Sequence, residues 1–215
     1  LPIPDFKPGQ FLTFSLNVES EAKPVTRCYS LSDAPNGEFY RVSIKKALAP
    51  RDTDFPNGLS SCHFHDHVTQ GDVLSVKAPN GDFFLDVNGK GAVVLIAGGV
   101  GITPVLSMAK TLAAMKSERE VHFFYGATTA LDLAHKDEME ALRKDLPNLK
   151  IYYCLSRVEK RKPKAEAPKP QESKKPKETE IRYFLEVPSL DCEVTIPNFG
   201  SEERRVGKEC RAWWG

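Results

Sequence analysis

An antiparallel β domain of barrel or sandwich type, followed by a doubly wound parallel α/β domain, is the fold this sequence predicts. Three observations carry it. Turn dipeptides are closely spaced through residues 1–90, the pattern switches at Gly91 to a continuous apolar run, and strand-like and helix-like segments then alternate up to Arg157.

In the first part, Tyr40-Arg41-Val42-Ser43-Ile44-Lys45 alternates apolar and polar residues, the period of a half-buried strand. Asn36-Gly37, Asn57-Gly58, Gln70-Gly71, Asn80-Gly81 and Asn88-Gly89 read as turns between short strands, which suits a small barrel or sandwich. Pro2, Pro4 and Pro8 crowd the start, so a first strand is expected to be missing. From Gly91, Ala92–Ala97 is an uninterrupted apolar strand of the kind covered on both faces in a parallel sheet. Glycines follow, then Pro104 in the first turn of a helix whose apolar face is Val105, Met108, Leu112 and Met115. Val121–Tyr125 predicts the second strand, Leu133–Leu142 a second amphipathic helix, and Ile151–Leu155 the third strand.

Composition bounds the function. Of 215 residues, 40% are hydrophobic and 27% charged, ordinary globular values with room for one or two domains. A formal net charge of +1 supplies no global attraction to nucleic acid or an acidic membrane. No apolar run spans a bilayer and no signal pattern opens the chain, which begins at Leu1 without an initiator Met. Cys28, Cys62, Cys154, Cys192 and Cys210 form no C-x-x-C pair, so zinc and iron–sulfur ligation are not expected; reduced thiols in a cytoplasmic protein are.

Three motifs carry chemistry. In Arg27-Cys28-Tyr29-Ser30-Leu31-Ser32, a guanidinium suits a diphosphate, an aromatic ring suits a planar cofactor, and a hydroxyl suits a ring nitrogen. The same string also fits a plain strand with an exposed Arg and a packed Tyr. Gly58-Leu59-Ser60-Ser61 opens a short helix whose amide groups and hydroxyls suit a phosphate, although many helices begin with Gly and Ser. Gly98-Gly99-Val100-Gly101-Ile102-Thr103-Pro104 joins the buried strand to its helix. Its glycines let the backbone approach a dinucleotide, yet Pro104 stands where the third glycine of G-x-G-x-x-G would be.

In this order, the motifs resemble those of the ferredoxin–NADP reductase superfamily: R-x-Y-S-x-S, G-x-x-S and G-G-x-G-x-T-P, across residues 6–157. Phe6-Lys7-Pro8-Gly9-Gln10-Phe11 is similar to the strand ahead of the flavin motif, Gly81-Asp82-Phe83-Phe84 to the loop closing the barrel, and Tyr125-Gly126-Ala127 to the second nucleotide-domain strand. The resemblance implies an FAD-binding barrel over residues 1–90 and an incomplete NAD(P)-binding domain over 91–157, truncated at both ends. It implies Arg27 on the FAD diphosphate, Tyr29 stacking, and Ser30 at the flavin ring, with Tyr29 and Ser30 as catalytic residues. Cys28, Ile44, Lys45, Gly58, Leu59, Ser60 and Ser61 complete the flavin contacts, and Gly99, Val100, Gly101, Ile102, Thr103 and Pro104 hold the nicotinamide dinucleotide. The implied chemistry runs from NADH or NADPH to FAD and then to an iron–sulfur or haem acceptor outside this chain.

Tyr40–Lys46 and His65-Asp66-His67 resemble the reductase part of flavohemoproteins, while Gly58 to Asp66 equally resembles reductases fused to a plant-type ferredoxin domain. His63, His65 and His67 invite a metal reading, but only His63 and His67 would share a helix face and no carboxylate completes a site, so no metal is expected.

The remainder departs from the family. Glu159–Glu180 is almost wholly Lys, Glu, Pro, Ala, Gln and Ser without apolar period, so residues 158–180 are expected to be a disordered linker or insertion, with a basic interaction tail as the alternative. Residues 181–215 are an uncertain tail in which Ile181–Val187 and Cys192–Ile196 predict short strands. The family's closing strand ending in Cys-Gly-Pro and its aromatic C-terminus are not recognisable; Tyr183-Phe184-Leu185-Glu186-Val187-Pro188, with Glu-Val in place of Cys-Gly, is the one candidate for that strand, and the alternative is that the strand is absent. Residues 201–210 resemble the translation of a sequencing adapter, which makes a gene fragment with read-through the expectation and a charged tail the alternative. Two rivals to the reductase reading follow: a flavin-binding electron-transfer subunit that does not oxidise NAD(P)H, and a non-functional fragment.

Overall fold

A computed structural model of the protein describes residues 3–50, 52–157, 181–187 and 190–196. The expected linker and the adapter-like stretch lie outside the described residues.

Strand β1 (Phe11–Leu16) alternates: Leu12, Phe14 and Leu16 are buried while Phe11, Thr13 and Ser15 are half-exposed. It is the centre of an antiparallel sheet, with β2 (Val25–Ser30) on one edge and β4 (Ser75–Asn80) on the other. Between them in sequence come the two-residue β3 (Arg41–Val42) and helix α1 (Leu59–His67). Phe64 of α1 packs edge-on to Phe14 at 5.2 Å, and with Ile3, Phe6, Leu31, Tyr40, Val42, Ile44 and Val68 closes the first core. Phe6–Phe11, expected as a strand, is instead a turn through Pro8 and Gly9 that reaches β1 only at Phe11, with Gly9 at φ +113°.

The barrel is not closed among the described residues. Strand β2 runs into β3 through a single Leu31–Val42 bridge, and β3 pairs in parallel with β9 (Leu190–Ile196). In turn, β9 pairs antiparallel with β8 (Ile181–Val187). These two seven-residue strands are close in sequence, so pairing them costs little chain entropy. Strand β8 therefore does not take the place of the Cys-Gly-Pro strand in the parallel sheet. Residues Tyr40 to Ile44 are also corrected: all five are buried rather than alternately exposed, because Arg41 and Ser43 face the second half of the molecule.

That half is a parallel sheet in the order β5 (Val93–Gly98), β6 (Val121–Ala127), β7 (Leu149–Leu155). Helix α2 (Ile102–Ala114) follows β5, and α3 (Lys136–Ala141) follows β6. The predicted helix Leu133–Leu142 is shorter because His135 takes φ +55°, which breaks the turn ahead of Lys136; short 3-10 turns at Ala130–Asp132 and Leu142–Lys144 flank it. Both helices pack on one face of the sheet, where they share a core with Val93, Leu95, Ala97, Phe123 and Tyr125, as crossovers of one hand between consecutive parallel strands require. The sheet is thus wound on one side among the described residues, not doubly. On the other face Val94 and Ile96 are 59% and 72% exposed, and Phe124 stacks on Tyr152 at 4.6 Å.

Candidate functional site

Strand alternation divides the first motif. Arg27 and Tyr29 project to the side of Phe14 and Leu12, their register partners; Cys28 and Ser30 project to the other, where Cys28 Sγ lies 3.5 Å from Thr13 Oγ1. Tyr29 is held edge-on by Phe14 at 5.8 Å and Phe64 at 5.4 Å. Its hydroxyl sits 2.9 Å from Ser60 Oγ. The first and second motifs therefore meet through this hydrogen bond, between residues thirty-one positions apart. Arg27 is exposed and donates from Nη1 to the Thr26 carbonyl at 2.7 Å, leaving a cation at the edge of the same surface.

The second motif is built by close packing. A Cβ at Gly58 would stand 2.7 Å from both Ala47 Cβ and Ser61 Oγ, so the turn admits only glycine without a shift. Gly58 N donates to Ala47 O at 2.7 Å, and Ser61 Oγ donates to Gly58 O at 3.2 Å while accepting from Ala47 N at 3.1 Å. No side chain caps α1 and no acidic residue lies in its first turn, so its N-terminal amides favour an anion. Leu59 is half-buried there. Ile44 is a core side chain, and its carbonyl meets His65 Nε2 at 2.9 Å; only Lys45, half-exposed, extends outward from that pair. Burial pushes His65 below the ordinary imidazole range, and burial together with the neighbouring His67 does the same to His63. Among the described residues no group of three metal ligands forms.

At the third motif, Gly98 ends β5 and Gly99, Val100 and Gly101 form a 3-10 turn, with Gly99 at φ +51°. A Cβ at Gly98 or Gly101 would meet nothing within 4 Å, so the backbone here fronts open space. Ile102 is fully buried and Thr103 nearly so, with Thr103 Oγ1 donating to Val100 O at 3.2 Å; these two build the turn, and Pro104 is half-buried beside them. Beyond β7, Ser156 N and Arg157 N donate to the carbonyls of Ala127 and Thr128 at 3.0 and 2.8 Å, which sets Arg157 beside Thr128 at the same sheet end.

The flavin-type motif leads straight to this turn's helix. Three residues after Ser30, Asp33 accepts Ser107 Oγ on its carbonyl at 2.6 Å and Lys110 Nζ on its carboxylate at 3.0 Å, both from α2. Gly9 is tight on the same seam: a Cβ there would stand 2.4 Å from Phe83 O and 2.6 Å from Met108 Cε. Asp33, Arg41, Lys110, His135 and Glu138 line the seam, and sequence reasoning missed all five. The available signal was Arg41 and Ser43 on the polar side of a strand.

Residues 4–85 match the oxidoreductase FAD-binding domain family and residues 95–174 the oxidoreductase NAD-binding domain family. The chain belongs to the ferredoxin–NADP reductase superfamily. A flavohemoprotein of Bacillus cereus is 45% identical over 154 residues, covering 72% of this chain and 38% of that protein. Flavohemoprotein B of Dictyostelium discoideum is 36% identical over 165 residues, again 72% and 38%. The chain thus spans 38% of the length of these curated relatives. Among solved structures, the flavohem-like FAD/NAD binding domain of nitric oxide dioxygenase from Vibrio cholerae aligns with a TM-score of 0.61 at 26% identity, covering 90% of this chain and 74% of that one. The cytochrome b5 reductase domain of Ulva prolifera nitrate reductase aligns at 0.58 and 25%, covering 71% and 62%. In this chain the flavin-side and nucleotide-side motifs stand on separate sheets joined at the Asp33–α2 seam. No helix among the described residues is long and apolar enough to cross a membrane.

Proposed function

We propose that this chain is the FAD-dependent NAD(P)H oxidoreductase module of a longer protein and passes electrons to a haem acceptor outside the chain. The observation that carries the reading is the continuity from Tyr29 and Ser30 through Asp33 to Ser107 and Lys110, which sets the flavin motif against the helix following the glycine turn. When bound, FAD and a reduced nicotinamide supply the redox chemistry. Arg27 and the α1 N-terminus neutralise a diphosphate, Tyr29 lies against the flavin or its ribityl chain, and Ser30 offers a hydroxyl to the ring nitrogen. Gly99 to Pro104 shape the nucleotide turn, and the open space at Gly98 and Gly101 supports a dinucleotide there. A haem acceptor is favoured over an iron–sulfur one by the flavohemoprotein relatives. Free thiols at Cys28, Cys62 and Cys154 support a reducing, cytoplasmic setting.

One observation favours a second reading. Strand β8 pairs with β9 rather than extending the parallel sheet, so no described strand brings a Cys-Gly-Pro equivalent to the nicotinamide side. A flavin-binding electron-transfer subunit would tolerate that arrangement. Anaerobic addition of NADH to the flavin-loaded chain separates the two: bleaching of the flavin absorbance is expected, and bound FAD that stays oxidised would favour the subunit.

A further inference from the structure

We propose that a half-buried four-charge square at the seam sets the relative orientation of the two halves, making Arg41 and Glu138 positioning residues for electron entry; this rests on the functional reading above. Each half contributes one cation and one anion. Arg41 and Asp33 come from the flavin-side half, Lys110 of α2 and Glu138 of α3 from the nucleotide-side half. Arg41 grips Glu138 with Nη1 and Nη2, both at 2.9 Å, and its Nε lies 3.3 Å from Asp33. Lys110 closes the square, 3.0 Å from Asp33 and 2.8 Å from Glu138. Every ion thus meets both opposite charges, one in its own half and one across the seam.

The square is anchored from below. Arg41 Nη2 donates to the Ser32 carbonyl at 2.7 Å, Ser32 Oγ lies 2.9 Å from Ser43 Oγ, and Ser43 Oγ lies 3.0 Å from His135 Nε2. His135 Nδ1 returns to Glu138 at 3.4 Å. Arg41, Lys110 and Asp33 expose only 10%, 17% and 21% of their side chains and Glu138 35%, so water compensates poorly for a break on the Arg41 side and reaches the square from the Glu138 side. Buried ion pairs often add little net stability over apolar replacements. Their directional geometry discriminates instead: apolar surfaces can slide, whereas this square closes in one register. Asp33 follows Ser30 by three residues, at most about 11 Å of chain, so a rotation of the halves moves the residue expected at the flavin ring relative to the nucleotide turn. A misplacement of about 1 Å at a reacting centre costs roughly 10²-fold in rate.

The test uses the full chain carrying Arg41→Met with Glu138→Leu, which removes one cation and one anion and leaves the Lys110–Asp33 pair, so folding is expected to persist. Ketone-bearing residues introduced at the exposed positions Glu21 and Cys154 and coupled to a nitroxide report the distance between halves, with Cys28 and the other cysteines left native. The expected result is a distance distribution at least twice as wide as in the parent, normal FAD occupancy, and flavin reduction by NADH slowed roughly tenfold or more. An unchanged distribution overturns the orienting role whatever the flavin does. A broadened distribution with an unchanged reduction rate overturns the positioning role. A parent chain that holds FAD without being reduced by NADH defeats the functional reading, while the distance measurement still decides the square.

Discussion

Arg27→Ala separates ligand binding from folding more cleanly than any other single change in the flavin-side half. The guanidinium is exposed and its backbone partner is the adjacent Thr26 carbonyl, so its removal leaves no buried group unpaired. Surface substitutions of this kind shift stability by about 0.5 kcal/mol or less. A charge-assisted contact to an anionic diphosphate, by contrast, is worth about 1.5–3 kcal/mol. With each 1.4 kcal/mol equal to tenfold in affinity, the FAD dissociation constant should rise roughly 10- to 150-fold. Titration of flavin-stripped protein with FAD, followed by quenching of flavin fluorescence, measures the affinity, and urea unfolding of the apoprotein measures the stability. A raised dissociation constant with an unmoved urea midpoint is expected. Unchanged affinity would refute the diphosphate assignment, and a large loss of apoprotein stability would show that Arg27 serves the fold.

Other outcomes follow from the same geometry. Ser30→Ala should slow anaerobic flavin reduction in stopped flow with near-normal FAD affinity, since its hydroxyl is expected to act as charge develops; overlaying traces would exclude that role. Gly58→Ala drives a methyl into Ala47 and Ser61 and should cost about 1–3 kcal/mol in urea unfolding, with weaker FAD retention as the Ser61 contacts shift. Burial works to raise the Glu138 carboxyl, but hydrogen bonds from His135, Arg41 and Lys110 and the Arg41 charge outweigh it and hold the group far below the ordinary carboxylate range. A depressed folded-state value means the stabilisation is complete above the unfolded glutamate pKa of about 4.3 and is lost as pH falls below it. The urea midpoint of the parent should therefore decline toward that of Glu138→Gln between pH 6 and pH 3, and parallel profiles would contradict the linkage. The family resemblance implies an Arg after Gly-Ala for the ribose phosphate of NADPH; Thr128 stands there, with Arg157 bonded beside it, so NADH is expected to bleach the flavin faster than NADPH. A clear NADPH preference in flavin bleaching, abolished by Arg157→Ala, would reverse that choice.

The nucleotide-side core and the three motif loops were legible because each is a local pattern. Val105, Met108 and Leu112 recur at helical period, and the glycine turn sits between them and the apolar strand, whereas the strand expected at Phe6–Phe11 lies at Phe11–Leu16, beyond the turn at Pro8 and Gly9. Periodicity fails where a polar residue is buried by a partner distant in sequence. Arg41 and Ser43 read as a solvent face, yet Glu138 and His135, more than ninety residues away, cover them. The opposite error came at Val94 and Ile96, where an unbroken apolar run predicted cover on both faces and the helices of consecutive crossovers supply only one.

Residue order alone determined the family, the strand–turn–helix setting of the glycine motif and the flavin-type string on a strand, since each depends on neighbours within a few positions. Tertiary structure decided which residues touch across the halves: Tyr29 with Ser60, Asp33 with Lys110, and Arg41 with Glu138. It also decided that the C-terminal strands pair beside β3 and not in the parallel sheet. Such pairings depend on burial and ion placement between segments far apart in the chain, and the balance of desolvation against charge at a seam exists only once both surfaces are in contact.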